Sequence, residues 1–342
     1  MWRNRKETVA AGRMIRYNKE KRGEKMLDVV AMGELLIDFT CVSADGEGYP
    51  TMAAHPGGAP ANFLAALAKF GAKTAMMGKV GTDAFGKLLL GTLEKAGIGT
   101  QGMIQAENVF TTLAFVTLDE QGDREFSFSR KPGADTCIAF REVDLSLVDR
   151  AKVFHFGTLS LTDEPARSAT YQTVAYAKQQ GKLITYDPNL RKPLWKSLED
   201  AREQMLWGLS QADVVKISDE EVDFLFSMTP EAGAEHILRN YGVKLVLVTC
   251  GADGCYFRNA VAAGKVSALQ NIKTVDTTGA GDIFGGSAVW KLLETDVPPE
   301  QLNKEQLAEM VTFACTAAGL STTKPGGISS VPTLEEVLAA SL

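Results

Sequence analysis

Residues 276–286 read DTTGAGDIFGG, a glycine-rich turn with one carboxylate directly behind it. Apolar residues continue at helical spacing, so the pattern predicts a helix that begins near Ala280. Backbone amides at a helix amino terminus can bind an anion, here through Gly279, Ala280 and Gly281. Asp282 would repel a resting phosphate, but it could accept a proton from a hydroxyl while a phosphoryl group is transferred. Asp282 is therefore predicted to be a general base.

The order of apolar runs predicts the fold class. From Met26 onward, strand-like runs such as LDVVAMG, KLITYDPN and KLVLVTCG alternate with helical periods, which is typical of a parallel sheet with crossover helices. Two stretches interrupt this order, near residues 35–54 and 109–131, and the second has a β-hairpin pattern around residues 120–123. We therefore expect an α/β domain over residues 26–342 with a small β-sheet lid over a ligand site.

Composition argues against several classes of protein. The chain of 342 residues is 45% hydrophobic, but no run approaches the roughly 18 apolar residues of a membrane helix, so no membrane partner is expected. Five cysteines without a CxxC pair indicate neither a disulfide framework nor a zinc site, and a cytoplasmic location is expected.

Charge is unevenly distributed along the chain. Residues 1–25 hold nine Lys and Arg against three Glu, whereas the remainder holds 27 basic and 39 acidic residues. The acidic body is not expected to bind nucleic acid. The basic segment could be a nucleic-acid arm or a targeting segment, but it has no apolar face, so we expect a dispensable or disordered extension.

Two glycine-rich strings resemble the signatures of one family. The string DTTGAGDIF resembles the carboxy-terminal signature D-T-x-G-A-G-D-x-F of the PfkB, or ribokinase-like, family of sugar and nucleoside kinases. HPGGAPANFLAALAKFGA, residues 55–72, resembles that family's amino-terminal signature, with Gly57, Gly58 and Asn62 at the matching positions. The resemblance implies a ribokinase-like three-layer α/β/α sandwich with a mostly parallel central sheet and a β-sheet lid.

The resemblance also implies which residues bind a small sugar. A glycine pair lets the backbone approach a ligand closely, an asparagine offers both a donor and an acceptor, and an arginine offers a charged fork. Phe128 and Arg130 share one strand face by the two-residue period, which suits either a sugar below the lid or packing of the lid on itself. The implied sugar-binding residues are Asp38, Gly57, Gly58, Asn62, Phe128, Arg130 and Arg191.

Nucleotide and ion contacts follow from the same resemblance. The implied nucleotide contacts are Lys216 and Ser218 in KISDEE, where Ser218 replaces the family's asparagine, and Thr249, Gly251 and Gly254 in VTCGADG. Glu221 would position Mg²⁺ indirectly. The implied ligands of a monovalent cation, K⁺, are Asp276, Thr278, Ser330 and main-chain oxygens of Ser321, Lys324 and Gly326. Lys324 could instead mark a site that needs no cation.

Within the family, the strings GELLIDF, REFSFSRKPGAD and YDPNLR look most like fructokinases, which implies transfer of the ATP γ-phosphoryl group to D-fructose. Kinases of 2-keto-3-deoxygluconate and of aminoimidazole riboside resemble the chain through the same glycine strings and remain alternatives. A catalytically silent relative that binds a sugar or nucleotide as a regulator is a further alternative, because a fold does not guarantee activity. The lid could also form a homodimer contact.

Overall fold

The structure is a computed structural model that describes residues 26–118, 124–295 and 297–341. Two sequence-based predictions lie outside the described residues: the dispensable basic segment 1–25 and the hairpin turn at residues 120–123. Within the described ranges, no helix is long and apolar enough to cross a membrane.

Thirteen strands form two sheets in the described part of the chain. They are β1 (Leu27–Met32), β2 (Leu36–Ala44), β3 (Pro50–Gly57), β4 (Thr74–Gly81), β5 (Ile98–Ala106), β6 (Leu113–Leu118), β7 (Arg124–Ser129), β8 (Ala151–Gly157), β9 (Leu183–Asp187), β10 (Val214–Ser218), β11 (Leu245–Thr249), β12 (Cys255–Asn259) and β13 (Ala263–Val266). The large sheet has the order β13-β12-β11-β10-β9-β8-β1-β4-β5 and is parallel except for the pairs β11–β12 and β12–β13. The strands β3-β2-β6-β7 form a separate sheet, called the lid sheet below.

Ten α-helices accompany these strands within the same ranges. They are α1 (Ala59–Lys69), α2 (Ala84–Lys95), α3 (Leu145–Arg150), α4 (Ala166–Gln179), α5 (Leu198–Gln211), α6 (Asp219–Phe226), α7 (Pro230–Tyr241), α8 (Ala280–Glu294), α9 (Lys304–Ser321) and α10 (Leu334–Ala340). Helices α3 to α7 pack on one face of the large sheet, and α1, α2 and α8 to α10 pack on the other.

The central strand β1 shows why the sheet is covered on both faces. Val30 and Met32 pack in the core cluster on one side, and Val29 and Ala31 pack in the cluster on the other side. A strand buried on both faces has a continuous apolar run instead of an alternating pattern, as LDVVAM does. The predicted three-layer α/β/α arrangement with a separate small sheet is confirmed.

The order of strands locates a crevice. From β1 the chain adds β4 and β5 on one side of the sheet and then returns to add β8 to β11 on the other side. In such sheets the loops at the carboxyl ends of the two central strands diverge and leave room for a ligand. The lid sheet follows β1 directly, and its strands fall in residues 36–57 and 113–129, within or beside the two stretches that interrupt the sequence pattern.

Helices α1 and α8 lie unusually close together behind this crevice. A methyl group added at Gly286 of α8 would lie 2.3 Å from the carbonyl oxygen of Phe63 in α1. At the neighbouring Gly285 the added methyl would lie 3.5 Å from the ring of Phe63, an ordinary contact distance.

Gly286→Ala is therefore expected to lower the free energy of unfolding by about 1–3 kcal/mol, because the methyl group would force two backbones apart. Urea denaturation followed by circular dichroism measures this. The control Gly285→Ala makes the same change in the same helix and should be neutral or stabilising by up to about 1 kcal/mol. Equal losses in both variants would contradict the close approach as the cause.

Candidate active site

A cleft of about 1030 Å³ opens between the lid sheet and the carboxyl ends of β1, β8 and β9. A cleft of this size accommodates more than one small molecule. Nine residues predicted from sequence line it: Asp38, Gly58, Asn62, Phe128, Arg191, Asp276, Thr278, Gly279 and Asp282. The structure thus brings together residues from five separate segments of the chain.

Helix α8 begins at Ala280, as predicted. Gly279 precedes it with φ of 75°, a left-handed conformation that glycine adopts without strain. The first intrahelical hydrogen bond runs from the amide of Ile283 to the carbonyl of Gly279 at 2.9 Å.

Two amides at this terminus remain available to an anion. Those of Gly281 and Asp282 precede the first intrahelical donor and have no acceptor within the helix. The amide of Ala280 instead donates to the carbonyl of Thr277 at 3.3 Å. The contribution of the Ala280 amide to anion binding stays a prediction.

The side chain of Asp282 is held in place by Asn62. The Nδ2 group of Asn62 donates to Oδ2 of Asp282 at 2.9 Å, and both side chains are buried. The Oδ1 atom of Asn62 is buried without a hydrogen-bond partner among the described residues, so a bound hydroxyl could donate to it. Burial raises the pKa of Asp282, while the charge of Lys216 and the bond from Asn62 oppose that rise. A raised pKa makes the carboxylate a stronger base.

An ion pair lies beside the first turn of α8. The ammonium of Lys216 is 3.0 Å from Oδ2 of Asp187 at the end of β9, and a methyl group added at Gly281 would lie 2.9 Å from that ammonium. Burial raises the pKa of Asp187 to about 7, although the charge of Lys216 opposes the shift. The Oδ1 atom of Asp187 is buried and has no partner in the described ranges. Positive charge is therefore placed directly beside the turn that is predicted to bind an anion.

On the lid side, Asp38 of β2 lies close to the glycine pair. A methyl group added at Gly57 would lie 2.1 Å from Oδ2 of Asp38, so only glycine leaves room for this carboxylate. Burial raises the pKa of Asp38 to about 6; the charge of Arg191 opposes the rise, and the charges of Asp282 and Asp276 add to it. Arg191 therefore lies within electrostatic reach of both sides of the cleft.

Arg130 does not occupy the position expected from sequence. Phe128 lines the cleft, but the side chain of Arg130 is only 2% exposed and forms an ion pair with Asp135 at 2.6 Å. The guanidinium also donates to Oγ1 of Thr162 at 2.7 Å and to the carbonyl of Leu159 at 2.8 Å. It fastens the end of β7 to the α/β body instead of facing a sugar. The strand period predicted the side of the sheet on which Arg130 lies, but it did not predict that the side chain is buried.

The KISDEE string forms a helix cap. Ser218 accepts the amide of Glu221 at 3.2 Å, and Glu221 accepts the amide of Ser218 at 2.8 Å, which is a capping box at the start of α6. Serine therefore serves at the place of the family's asparagine. The other oxygen of Glu221 accepts the amide of Leu190 at 2.7 Å. Both carboxylate oxygens of Glu221 thus accept hydrogen bonds from backbone amides. An indirect role of Glu221 in positioning magnesium stays a prediction.

The remaining predicted nucleotide contacts, Thr249, Gly251 and Gly254, do not line the cleft. Thr249 of β11 is the register partner of Ser218 in β10. Gly251 and Gly254, with φ of 51° and 92°, shape the turn that follows β11. Their contact with a nucleotide stays a prediction.

The predicted cation ligands form one folded loop with Asp276. Its Oδ1 atom accepts the amide and the hydroxyl of Thr278 at 2.9 and 2.7 Å, and its Oδ2 atom accepts the amide of Gly326 at 2.9 Å. Two other predicted ligands, Ser321 at the end of α9 and Ser330, are buried. The ammonium of Lys324 lies 3.6 Å from Glu336, with half of the side chain exposed. Lys324 therefore does not place its charge inside the loop.

Comparison with known proteins identifies the family. The family model described as pfkB family carbohydrate kinase matches residues 26–334. The chain belongs to this family. Fructokinase-2 of Solanum lycopersicum is 40% identical over 313 residues, which is 91% of this chain and 94% of that protein. The chain is therefore a carbohydrate kinase, and the predicted enzyme class is confirmed.

Two solved structures are also similar to this chain. Fructokinase from Xylella fastidiosa with bound ATP is similar with a TM-score of 0.84 and 30% identity, covering 92% of this chain and 97% of that one. A double mutant of fructokinase from Vibrio cholerae O395, bound to fructose, ADP and a potassium ion, is similar with a TM-score of 0.82 and 28% identity, covering 93% and 100%. The predicted ribokinase-like fold class is confirmed.

Several residues at this site were not predicted from the sequence. Glu34, His55 and Asn189 line the cleft, and the carboxylate of Asp187 lies next to Lys216. Two of them carry a readable signal, because Glu34 and Asp187 are acidic residues at or just beyond the ends of buried apolar strands. A charge in such a position is costly unless it has a partner.

Replacing the base tests the central assignment. Asp282→Asn keeps the size of the side chain but cannot accept a proton, so kcat should fall by about 10²–10⁴ while ATP binding is unchanged or slightly stronger. Because burial raises the pKa of Asp282, wild-type kcat should decline as pH falls through that pKa, which lies above the ordinary range of aspartate. Steady-state kinetics between pH 4 and 9 would show both effects.

Asp144→Asn provides the control for that measurement. Asp144 caps the short helix α3 and does not line the cleft, and asparagine caps a helix equally well. Its kcat should match the wild type. If Asp282→Asn is folded and retains near wild-type kcat, Asp282 is not the base.

Proposed function

We propose that this carbohydrate kinase transfers the γ-phosphoryl group of ATP to a hydroxyl of D-fructose. The observation that carries the proposal is the position of Asp282, which is fixed by Asn62 at the amino end of α8 in the same cleft as Asp38. Names of relatives support the choice of sugar, since the similar proteins above are fructokinases.

In the proposed reaction the sugar lies on the lid side, with Asp38 and Asn62 as partners of its hydroxyl groups. Asp282 accepts the hydroxyl proton while the sugar oxygen bonds to the γ-phosphorus and the bond from that phosphorus to the bridging oxygen of ADP breaks. The amides of Gly281 and Asp282 stabilise the charge on the transferred group, together with Lys216. These groups are already ordered by helix α8 and by the ion pair with Asp187.

Charge in the cleft favours a neutral sugar over a sugar acid. Among the described residues, five carboxylates and one guanidinium line it: Glu34, Asp38, Glu220, Asp276, Asp282 and Arg191. A substrate carboxylate would be placed among like charges, which costs free energy in a partly buried site. A polyhydroxyl sugar instead finds acceptors for its hydroxyl groups. The cleft therefore supports fructose over 2-keto-3-deoxygluconate.

We further propose that ATP enters with Mg²⁺. The same carboxylates would repel the phosphates of ATP, and a divalent cation would neutralise phosphate oxygens when bound. The buried Oδ1 atom of Asp187, which has no hydrogen-bond partner in the described ranges, suits a hydrated cation beside those phosphates. Glu221 would contribute by holding the backbone of Leu190 in place.

A potassium site is proposed in the loop around Asp276. The three hydrogen bonds of this carboxylate to Thr278 and Gly326 fold the loop so that its carbonyl oxygens can converge on an ion. The potassium ion in the Vibrio cholerae structure supports this proposal. A cation there would add positive field near the amino end of α8.

We expect activity to be higher in potassium than in sodium or tetramethylammonium at matched ionic strength. The response should disappear in Asp276→Asn, because the carboxylate that orders the loop is weakened as an acceptor, and persist in Lys324→Ala, whose ammonium lies at Glu336. Initial rates in the three salts measure it. Equal rates in all three salts for the wild type would remove the cation from the mechanism.

Two further proposals concern assembly and location. Two exposed apolar side chains lie at the lid sheet: Val42 in β2 is 60% exposed, and Tyr49, directly before β3, is 66% exposed, which supports a homodimer contact through the lid. All five cysteines lie within the described residues and are free thiols, which supports a reducing cytoplasmic location.

A sugar panel tests the proposed function. With ATP and Mg²⁺, D-fructose should give the highest kcat/KM among fructose, glucose, ribose, 2-keto-3-deoxygluconate and aminoimidazole riboside, because it is neutral and matches the relatives' substrate. A coupled assay of ADP release measures this, and Asp282→Asn prepared in parallel controls for contaminating kinases. A higher kcat/KM for the keto acid would refute the charge argument, and no turnover of any sugar would refute the function.

A further inference from the structure

Glu34 occupies a buried position that the proposed reaction does not use. It follows Gly33 at the end of β1, is only 3% exposed and lines the cleft. Its Oε1 atom accepts the amide of Ala59, the first residue of α1, at 2.8 Å. The helix has no side-chain cap of its own, because Gly58 occupies the capping position. Glu34 therefore replaces the usual N-cap from a distant part of the chain.

The backbone of Glu34 is equally close to the glycine turn. Gly58 has φ of 118°, and a methyl group added to it would lie 2.5 Å from the carbonyl oxygen of Glu34. Main chain and side chain of one residue thus fix the position of residues 57–59. One turn further along α1, Asn62 donates to Asp282. Any shift of the start of α1 would therefore reach the general base and the predicted sugar contacts together.

A second cluster lies on the other side of Glu34. Arg130, the residue directly after β7, and Asp135 form their buried ion pair within electrostatic reach of the carboxyl group of Glu34. Burial raises the pKa of Glu34 to about 7 and Asp135 adds to the rise, while the amide of Ala59 and Arg130 oppose it. Glu34 is therefore flanked by the start of α1 and by the residue that fastens the lid to the body.

We propose that Glu34 is a positioning residue of the sugar site, which holds the first amide of α1 and thereby sets the places of the Gly57–Gly58 turn and of Asn62. It acts through these residues and takes no part in proton transfer. The inference rests on the proposed function for the choice of substrate, but the position of α1 can be measured without any substrate.

The test compares two substitutions. Glu34→Ala removes the acceptor of the Ala59 amide, so the KM for D-fructose should rise about tenfold or more, while the KM for ATP stays within about twofold. Glu34→Gln retains an acceptor oxygen at the same place and should restore the fructose KM to within about threefold of wild type. If fructose is not phosphorylated, the panel sugar with the highest kcat/KM takes its place.

Amide hydrogen exchange provides the readout that is independent of activity. The peptide around residues 57–64 should exchange faster in Glu34→Ala than in wild type, and Glu34→Gln should restore its protection. The control is Asp213→Ala, which removes an acceptor of the Ile184 amide. Both residues lie at the amino ends of their strands, whereas Glu34 follows the carboxyl end of β1. Asp213→Ala should lower the melting temperature without changing the fructose KM or exchange in this peptide.

Three outcomes would overturn the proposal. Equal loss in Glu34→Gln and Glu34→Ala would show that the charge of Glu34 matters and not its hydrogen bond. Equal increases in both KM values would show general damage. Unchanged exchange around residues 57–64 in Glu34→Ala would show that Glu34 does not hold α1, even if no sugar in the panel is phosphorylated.

Discussion

The hydrogen bond between Asn62 and Asp282 connects two helix amino termini that are 220 positions apart in the chain. It can form only because α1 and α8 approach closely, with Gly286 against the backbone of Phe63. The same approach places the anion-binding amides of α8 next to the glycine turn that precedes α1. The proposed sugar contacts and the proposed base therefore depend on one pair of helices, and small shifts of either helix would affect both.

Burying several charged groups in one place costs desolvation free energy, which interactions between these groups partly offset. Asp282 and Asp187 are both buried, and burial raises the pKa of each. Lys216 opposes both shifts, so that one ammonium stabilises two carboxylates. A buried ion pair of this kind is weak evidence for stability, because desolvation offsets much of the attraction. Its value here lies in keeping the proposed base and a positive charge ordered before any substrate arrives.

The lid sheet is attached to the body by polar contacts next to the cleft. Arg130 satisfies its donors with Asp135, Thr162 and the carbonyl of Leu159, and Glu34 links the adjoining strand β1 to α1. The residue that attaches the lid sheet, Arg130, therefore lies within electrostatic reach of the residue that holds the glycine turn, Glu34. This arrangement explains why an arginine directly after a lid strand need not face the ligand: its guanidinium donates to three groups inside the protein instead.

The sequence alone determined the layer order, the start of α8 at Ala280 and nine of the residues that line the cleft, because these depend on local patterns: strand period, helix capping and glycine turns. It also predicted the family, because two signature strings are long enough to be specific. The contacts of Arg130, Glu34 and Asp187 were decided only by the tertiary structure. Whether an arginine points to the cleft or a carboxylate has a partner depends on which atoms lie nearby in space. Those neighbours come from segments far apart in the chain, so no local pattern contains them.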